Sequence, residues 1–185
     1  MGLIREIIEN LWQRWKLGLD GLGHLWYSTA YYSLTLRSLI PKIEFSPKEL
    51  QEPIRWIPNV CIKSCEREAL FMHPPSRVVY RLIVPPRAVF QTFVALLPDV
   101  WGQNPDGVQF EVSVLSKNNR RSVSQKMWIH PTRFPHHRQW LQFRITLSKF
   151  ANSEVELALS TSVPSGASAD FAWAVWGSPV ILHRK

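Results

Sequence analysis

The chain has 185 residues, of which 45% are hydrophobic and 19% are charged, and its formal net charge is +8. This length accommodates one domain with a full hydrophobic core plus an appendage, and the composition excludes an intrinsically disordered chain. The 14 prolines are spread along the sequence, which favours many short strands joined by turns over a few long helices.

Residues 3–15 repeat apolar side chains at the spacing of an amphipathic helix. The opposite face carries Glu as well as Arg and Lys, so a protein groove or a large membrane assembly suits it better than a purely anionic surface. The alternative is a helix packed on its own domain. We expect no secretory signal and no membrane span here. The residues predicted to dock on a membrane or a partner are Leu3, Ile4, Ile7, Ile8, Leu11, Trp12 and Trp15.

The next segment, YYSLTLRSLIPKIEF (31–45), alternates apolar and polar residues and is either an edge strand or the end of a helix. Prolines follow at positions 41, 47 and 53, which indicates a linker. We therefore predict an aromatic-rich, amphipathic arm and linker over residues 1–47 and a β-sandwich domain over residues 48–185.

The only two cysteines, Cys61 and Cys65, lie in the sequence CIKSC. On a regular strand they would be about 13 Å apart, too far for a disulfide, whereas a tight turn at Lys63 and Ser64 would bring them together. Two free thiols, a small disulfide loop and a contribution to a metal site therefore remain open.

From residue 54 onward, strand-like segments follow one another at roughly ten-residue spacing, with Pro-Pro, Asn-Pro and Asp-Gly turns between them. There is no alternation of strands with helices. The sequence therefore predicts a mainly β protein, a two-sheet jelly-roll sandwich preceded by an N-terminal amphipathic helical arm. The clearest segments are RVVYRLIV (77–84), VFQTFVALL (89–97), GVQFEVSVL (107–115), QWLQFRITL (139–147), EVELALST (154–161) and DFAWAVWGSPVIL (170–182).

The last segment contains two tryptophans whose roles have to be distinguished. On a strand, Trp173 shares one face with two larger side chains, whereas Trp176 shares the other face with two alanines. This pattern predicts that Trp173 fills the core between the sheets. Trp176 either packs in the core or a loop, or contacts a ligand or partner.

Four blocks follow one another in the sequence: ALFMHPPSRVVYRLIVPP (69–86), LLPDVWGQNPDGVQFEVSV (96–114), ITLSKFANSEVELALST (145–161) and AWAVWGSP (172–179). In this order they resemble a jelly-roll module of bacterial proteins, one that is often an extracytoplasmic part of large membrane-bound proteins. The module is similar to galactose-binding-like and carbohydrate-binding sandwiches, and the resemblance covers about residues 54–183. It implies the fold but no ligand or catalytic residue. The glycine that usually follows the double proline is Arg87 in this chain.

No motif for catalysis, phosphate binding or cofactor binding occurs in the sequence, so we predict a protein that is not an enzyme and has no cofactor. The acidic turn DVWGQNPD offers weak calcium candidates, Asp99, Asn104 and Asp106, although an Asp before Gly more often simply forms a turn. His130, His136 and His137 have no acidic or cysteine neighbours to complete a metal site, and we predict that they are solvated loop residues.

Between positions 112 and 153 there is no Asp or Glu, and eight Lys or Arg residues fall in this window. Such a segment predicts a basic patch that attracts anionic lipid or an acidic partner; nucleic acid is a weaker expectation. The residues assigned to the basic patch are Arg120, Arg121, Lys126, Arg133 and Arg138.

Two functions follow from these features. In the first, the protein is a non-catalytic accessory subunit, peripherally associated with a membrane, that docks on a membrane protein complex or an anionic membrane surface through its arm and basic sandwich. In the second, the sandwich binds carbohydrate through loop tryptophans, for which the candidates are Trp101, Trp128 and Trp176. Exposure of these side chains separates the two functions, because an aromatic ring stacks on a sugar only when its face is accessible.

Overall fold

The computed structural model describes residues 31–104, 106–116 and 120–184. The predicted amphipathic helix and its seven docking residues lie outside the described residues. Within the described residues, no helix is long and apolar enough to cross a membrane.

The described residues form eleven strands and four short 3₁₀ turns. The strands are β1 (Tyr31–Thr35), β2 (Lys42–Phe45), β3 (Ile54–Ile62), β4 (Cys65–Met72), β5 (Ser76–Ile83), β6 (Val89–Leu96), β7 (Val108–Ser116), β8 (Arg121–Ile129), β9 (Leu141–Thr146), β10 (Glu154–Ser162) and β11 (Ala174–Arg184). The 3₁₀ turns are Leu36–Ser38, Pro98–Val100, Pro135–His137 and Ser148–Phe150.

The strands pair into two antiparallel sheets. The first sheet has the order β3-β4-β11-β6-β9, and β1 pairs with the C-terminal half of β11. The second sheet has the order β2-β5-β10-β7-β8. The prediction of a mainly β, two-sheet sandwich is confirmed.

The core lies between the sheets because alternate side chains of each strand point inward. On β7, Val108, Phe110, Val112 and Val114 are buried while the residues between them are more exposed. Large buried rings from other strands of both sheets belong to the same core, including Tyr80 of β5 and Phe90 of β6. Burial raises the pKa of the Tyr80 phenol, since the phenolate would have to form away from water.

The segment 31–45 contributes to both sheets. β1 is an edge strand, as one of the two sequence interpretations predicted, and a 3₁₀ turn follows it directly. Leu36, at the start of that turn, is fully buried in the core. β2 pairs with β5 in the second sheet. These two strands precede residue 48, and the division of the chain into domains at that point stays a prediction.

The cysteines flank the turn between β3 and β4. Lys63 and Ser64 both have positive φ angles, 49° and 62°, so they form the tight turn that the sequence allowed. In the hairpin register, however, Cys65 pairs with Ile62 and Cys61 pairs with Glu66, which places the two side chains on opposite faces. Both thiols are therefore free.

Of the two C-terminal tryptophans, Trp176 is the core residue, as one of its two interpretations predicted, whereas the prediction that Trp173 fills the core is wrong. Trp176 is fully buried, and its ring meets Phe110 edge-on at 5.0 Å and Phe143 at 6.1 Å. Trp173 is 38% exposed and precedes the first residue of β11. The sequence grouped the two faces correctly but assigned the wrong one to the core. The alanines at 172 and 174 are the inward-facing residues, and they leave room for the Trp176 indole.

Candidate functional site

Three loops meet at one end of the sandwich: 97–107 after β6, 130–140 after β8 and 163–173 before β11. The backbone N–H of Leu97 donates to the Trp173 carbonyl at 3.0 Å, which joins the first loop to the third. Thr132 Oγ1 lies 2.8 Å from the Trp101 carbonyl and 2.6 Å from the Asn104 carbonyl, which joins the second loop to the first. We call this loop surface the aromatic end, because three exposed aromatic side chains lie on it: Trp128, Phe171 and Trp173.

Trp128 is the exposed aromatic whose position is most tightly defined. It lies on β8, its indole N–H donates to the Asp106 carbonyl at 3.2 Å, and 39% of the residue is exposed. The rings of His130 and Phe134 meet it at interplanar angles of 83° and 79°. Among the described residues, the rings paired with Trp128 are thus steeply tilted rather than stacked flat on the indole.

The loop that follows Trp128 is closed by two imidazoles. His130 Nδ1 accepts a hydrogen bond from the Arg133 N–H at 3.1 Å, and His137 Nδ1 accepts one from the His130 N–H at 3.0 Å. Both rings act as acceptors, so Nδ1 carries no proton in either. His130 is only 5% exposed, so the prediction that it is a solvated loop residue is wrong.

His137 also carries a perturbed proton affinity. Burial lowers the pKa of the His137 imidazole below 6.5, and repulsion by the charged forms of His136 and His130 lowers this pKa further. The His136 ring centroid is 4.4 Å away. Protonated His137 would therefore be disfavoured by its neighbours and would lose its acceptor contact to the backbone.

We expect stability to depend on pH through this residue. Because the pKa of His137 is lower in the folded state than in the unfolded chain, the unfolded chain binds the extra proton first as the pH falls. The free energy of unfolding therefore decreases as the pH drops below about 6.5 and levels off below the folded-state pKa. Urea unfolding at pH 7.5 and pH 5 measures this decrease.

The matched variant is His137→Asn, whose side-chain oxygen can still accept from the His130 N–H but does not titrate. We expect this variant to lose less stability than the wild type between pH 7.5 and pH 5. An identical loss in both proteins would show that His137 does not contribute to the pH dependence.

Of the three predicted ligand-contact tryptophans, one is well exposed. Trp101 is half-buried, packs against the core and donates its indole N–H to the Leu96 carbonyl at 2.8 Å. Trp176 has no exposed surface, so its assignment as a ligand contact is corrected to a core position. Phe171 and Trp173, 43% and 38% exposed, were not predicted as site residues. The signal for them was the polar, glycine-containing stretch SGASAD directly before Phe171, which marks a loop.

The weak calcium candidates do not form a ligand set. Asn104 is buried, and its side-chain oxygen accepts from the Gly107 N–H at 2.5 Å, so it closes the turn instead. The Asp99 carbonyl accepts from the Gln103 side chain within the same loop. No group of three or more His, Cys, Asp or Glu among the described residues is placed to hold a metal ion.

The predicted basic patch does not form one surface. Arg121 begins β8 and Arg133 follows its end, and a nine-residue strand separates them by about 27 Å. Lys126 lies between them, 3.5 Å from a Glu111 carboxylate oxygen. Arg138 donates to the Pro131 carbonyl at the aromatic end, whereas Arg120 precedes Arg121 at the opposite end. Residues that are close in sequence are separated here because the strand between them crosses the whole sheet.

No protein-family model matches the chain. An uncharacterized protein from Archaeoglobus fulgidus is 34% identical over 119 residues, which cover 60% of this chain and 30% of that protein. The chain thus spans less than a third of the length of this relative.

Solved structures with a similar fold are carbohydrate-binding modules. One is CBM51 from Clostridium perfringens GH95 in complex with methyl-galactose, with a TM-score of 0.54, 16% identity, and coverage of 81% of this chain and 99% of that one. A second, with a TM-score of 0.52 and 14% identity, contains CBM51-2 with GlcNAc and INT domains from Clostridium perfringens ZmpB, and covers 83% of this chain and 32% of that one.

A third holds the tandem CBM51 modules of Sp3GH98, the family 98 glycoside hydrolase from Streptococcus pneumoniae SP3-BS71. Its TM-score is 0.55 at 9% identity, and it covers 84% of this chain and 48% of that one. At sequence identities this low, the structural similarity shows a shared fold and nothing more. The chain therefore has a two-sheet β-sandwich fold similar to that of these carbohydrate-binding modules, as the sequence blocks indicated.

Proposed function

We propose that this chain is a non-catalytic carbohydrate-binding module and that the aromatic end holds the sugar. The fold of carbohydrate-binding modules supports this proposal. The observation that carries it is Trp128: a large indole, 39% exposed, fixed by a hydrogen bond to the Asp106 carbonyl and flanked by rings that meet it at steep angles. A sugar ring presents C–H groups on its flat side, and an accessible indole face packs well against them.

Polar groups near Trp128 would orient a bound sugar, which stacking on the indole alone does not do. Gln109 lies directly across from Trp128 in the β7–β8 register, and its amide can both donate to and accept from sugar hydroxyls. Asp106, whose backbone carbonyl accepts the indole N–H, is half-buried and carries a carboxylate in the same turn. Phe171 and Trp173 are exposed on another loop of the same end. This mixture of an aromatic platform with a few polar groups is typical of small-ligand sites.

The role of a membrane-docking accessory subunit was assigned chiefly to the arm, which lies outside the described residues. It remains a prediction.

Replacing Trp128 by Ala tests the carbohydrate proposal. We expect the wild type to bind methyl-galactoside or GlcNAc, or an oligosaccharide that contains them, and W128A to bind at least tenfold more weakly, a loss of about 1.4 kcal/mol. Isothermal titration calorimetry gives the affinity, preceded by a glycan array to choose the ligand.

The matched control is Phe45→Ala. Phe45 lies on the edge strand β2 and is 49% exposed, so it resembles Trp128 in exposure but is distant in the sheet order. We expect F45A to bind like the wild type. Equal affinity of W128A and the wild type would place the sugar elsewhere, and a wild type that binds no glycan would refute the proposed function.

A further inference from the structure

We propose that the loop after β8 makes the glycan site pH-sensitive: in acid its two hydrogen-bonding imidazoles take up protons, the loop rearranges beside Trp128, and the bound sugar is released. This inference rests on the proposed function. We call residues 130–138 the histidine loop, because His130, His136 and His137 lie on it and this stretch contains no Asp or Glu.

Two of the hydrogen bonds that close the histidine loop end on an imidazole nitrogen. The backbone N–H of Arg133 donates to His130 Nδ1 at 3.1 Å, and the backbone N–H of His130 donates to His137 Nδ1 at 3.0 Å. A backbone N–H can only donate, so each neutral ring carries its proton on Nε2, and a second proton can bind only at Nδ1. Protonation of either ring therefore turns the acceptor into a donor that faces another donor, and the hydrogen bond is lost.

The same loop packs against the side of the exposed indole. The His130 ring meets Trp128 edge-on with the ring centroids 5.1 Å apart, and the Phe134 ring does so at 6.0 Å. His130 also packs against the backbone at Gly107, since a Cβ added there would lie 2.9 Å from the His130 Cβ. His130 is only 5% exposed, and a charged imidazole is costly in so enclosed a place. Its protonated form therefore moves towards water, and its contact with Trp128 is lost.

The charges around the two imidazoles favour release in acid. The His136 ring centroid lies 4.4 Å from that of His137, and repulsion by His136 and His130 adds to burial in lowering the pKa of His137. Among the described residues, no carboxylate raises the pKa of His137. A proton on the closed loop is thus disfavoured, and the rearranged loop takes it up more readily. The charged groups on the surrounding elements are Arg133 and Arg138 of the loop itself, Asp99 and Asp106 of the loop before β7, Asp170 of the loop before β11, and Lys126 of β8 with its partner Glu111.

Other contacts of the loop keep the change local. Arg138 Nε donates to the Pro131 carbonyl at 2.9 Å, and Thr132 Oγ1 lies 2.6 Å from the Asn104 carbonyl. None of these groups titrates between pH 5 and pH 7.5, so the loop stays attached to the rest of the aromatic end. Acid therefore rearranges the loop beside Trp128 while the sandwich stays folded, and the change is reversible.

Calorimetric titration of the full chain at pH 7.5 and pH 5 tests this proposal, with methyl-galactoside and GlcNAc as the probes. At pH 5 an imidazole with the ordinary pKa is charged roughly 30 times more often than neutral, so each ring that must stay neutral favours the rearranged loop by up to about 30-fold. We expect the wild type to bind about tenfold more weakly at pH 5 and to regain its affinity when the pH is returned to 7.5.

Two variants assign the effect to the histidine loop. H137N keeps a side-chain acceptor for the His130 N–H but does not titrate. Its affinity should fall only about threefold, the share left to His130 when the two rings contribute equally. H136Q removes a charge that repels the proton on His137, so the pH at which the affinity falls should move upward while the size of the fall is kept. A purely structural role of the loop would not move this midpoint.

Hydrogen exchange supplies a measurement that needs no glycan. The backbone N–H groups of His130 and Arg133 should lose protection at pH 5, after correction for the intrinsic rate, because their acceptors are protonated. Equal glycan affinity at the two pH values, or an H137N variant with the wild-type pH dependence, would overturn the proposal and leave the proposed function standing. A wild type that binds neither probe at pH 7.5 would count against the proposed function, and the exchange rates would still decide whether the loop responds to acid.

Discussion

Replacing Trp176 by Ala is expected to lower the free energy of unfolding by about 3–5 kcal/mol, the usual cost of truncating a fully buried aromatic side chain. Trp176 is the largest fully buried side chain among the described residues, and its indole fills the space between Phe110 of one sheet and Phe143 of the other. The variant leaves a cavity between the sheets near the start of β11, where β4 and β6 pair with this strand on its two sides.

Two variants make this measurement specific. W173A removes the same side chain three residues away from an exposed position, so its loss in urea unfolding should be below about 1 kcal/mol. W176F should cost less than W176A, because the Trp176 indole N–H is buried without a hydrogen-bond partner among the described residues, and Phe removes that donor. A larger loss for W173A than for W176A would contradict the packing described.

The strands of the sandwich could be predicted because period-two alternation and turn chemistry are local signals. The segment 107–115 corresponds to β7 and 154–161 to β10. Their valines, with Leu157 and Leu159, are buried, whereas Leu115 at the end of β7 faces outward. Which face of β11 points into the core could not be predicted from the neighbouring sequence alone. A run of small residues fills a core only when large rings face it from other strands, and Phe110 and Phe143 are distant in the sequence.

For the same reason, the sequence did not predict which residues share the aromatic end or how the basic residues divide between the two ends. The sequence identified Trp128, but it could not show that Phe171 and Trp173 lie at the same end, since that follows from the hydrogen bond between Leu97 and Trp173. The acid-free window from 112 to 153 was interpreted as one patch. β8 divides that window between the two ends, so Arg120 and Arg121 lie at the opposite end from Arg133.

The two ends of the sandwich therefore carry different chemistry. Rings and a few polar groups lie at one end, and Arg120 and Arg121 lie at the other. β7 has nine residues, so its length separates the two ends by about 27 Å.

Replacing Gly107 by Ala is expected to damage both the fold and the aromatic end. A Cβ at this position would lie 2.7 Å from the Ile129 carbonyl oxygen, 2.8 Å from Trp128 Nε1 and 2.9 Å from His130 Cβ. The φ angle of 73° adds about 1 kcal/mol of strain for any residue with a Cβ, and the overpacking adds about 1–3 kcal/mol. Because the backbone of β8 cannot withdraw without breaking its pairing with β7, Trp128 is the group that moves.

The control Gly166→Ala separates the effect of backbone strain from the effect of steric contact. Gly166 has a similar φ of 81°, but nothing lies within 4 Å of the Cβ that Ala would add. We expect G166A to lose only the conformational part, about 1 kcal/mol, and to keep its glycan affinity, whereas G107A loses about 2–4 kcal/mol and binds glycan more weakly. Urea unfolding and calorimetry measure the two effects. Equal stability of the two variants would mean that the loop beside Trp128 yields easily, and then the indole is not the rigid platform that the carbohydrate proposal requires.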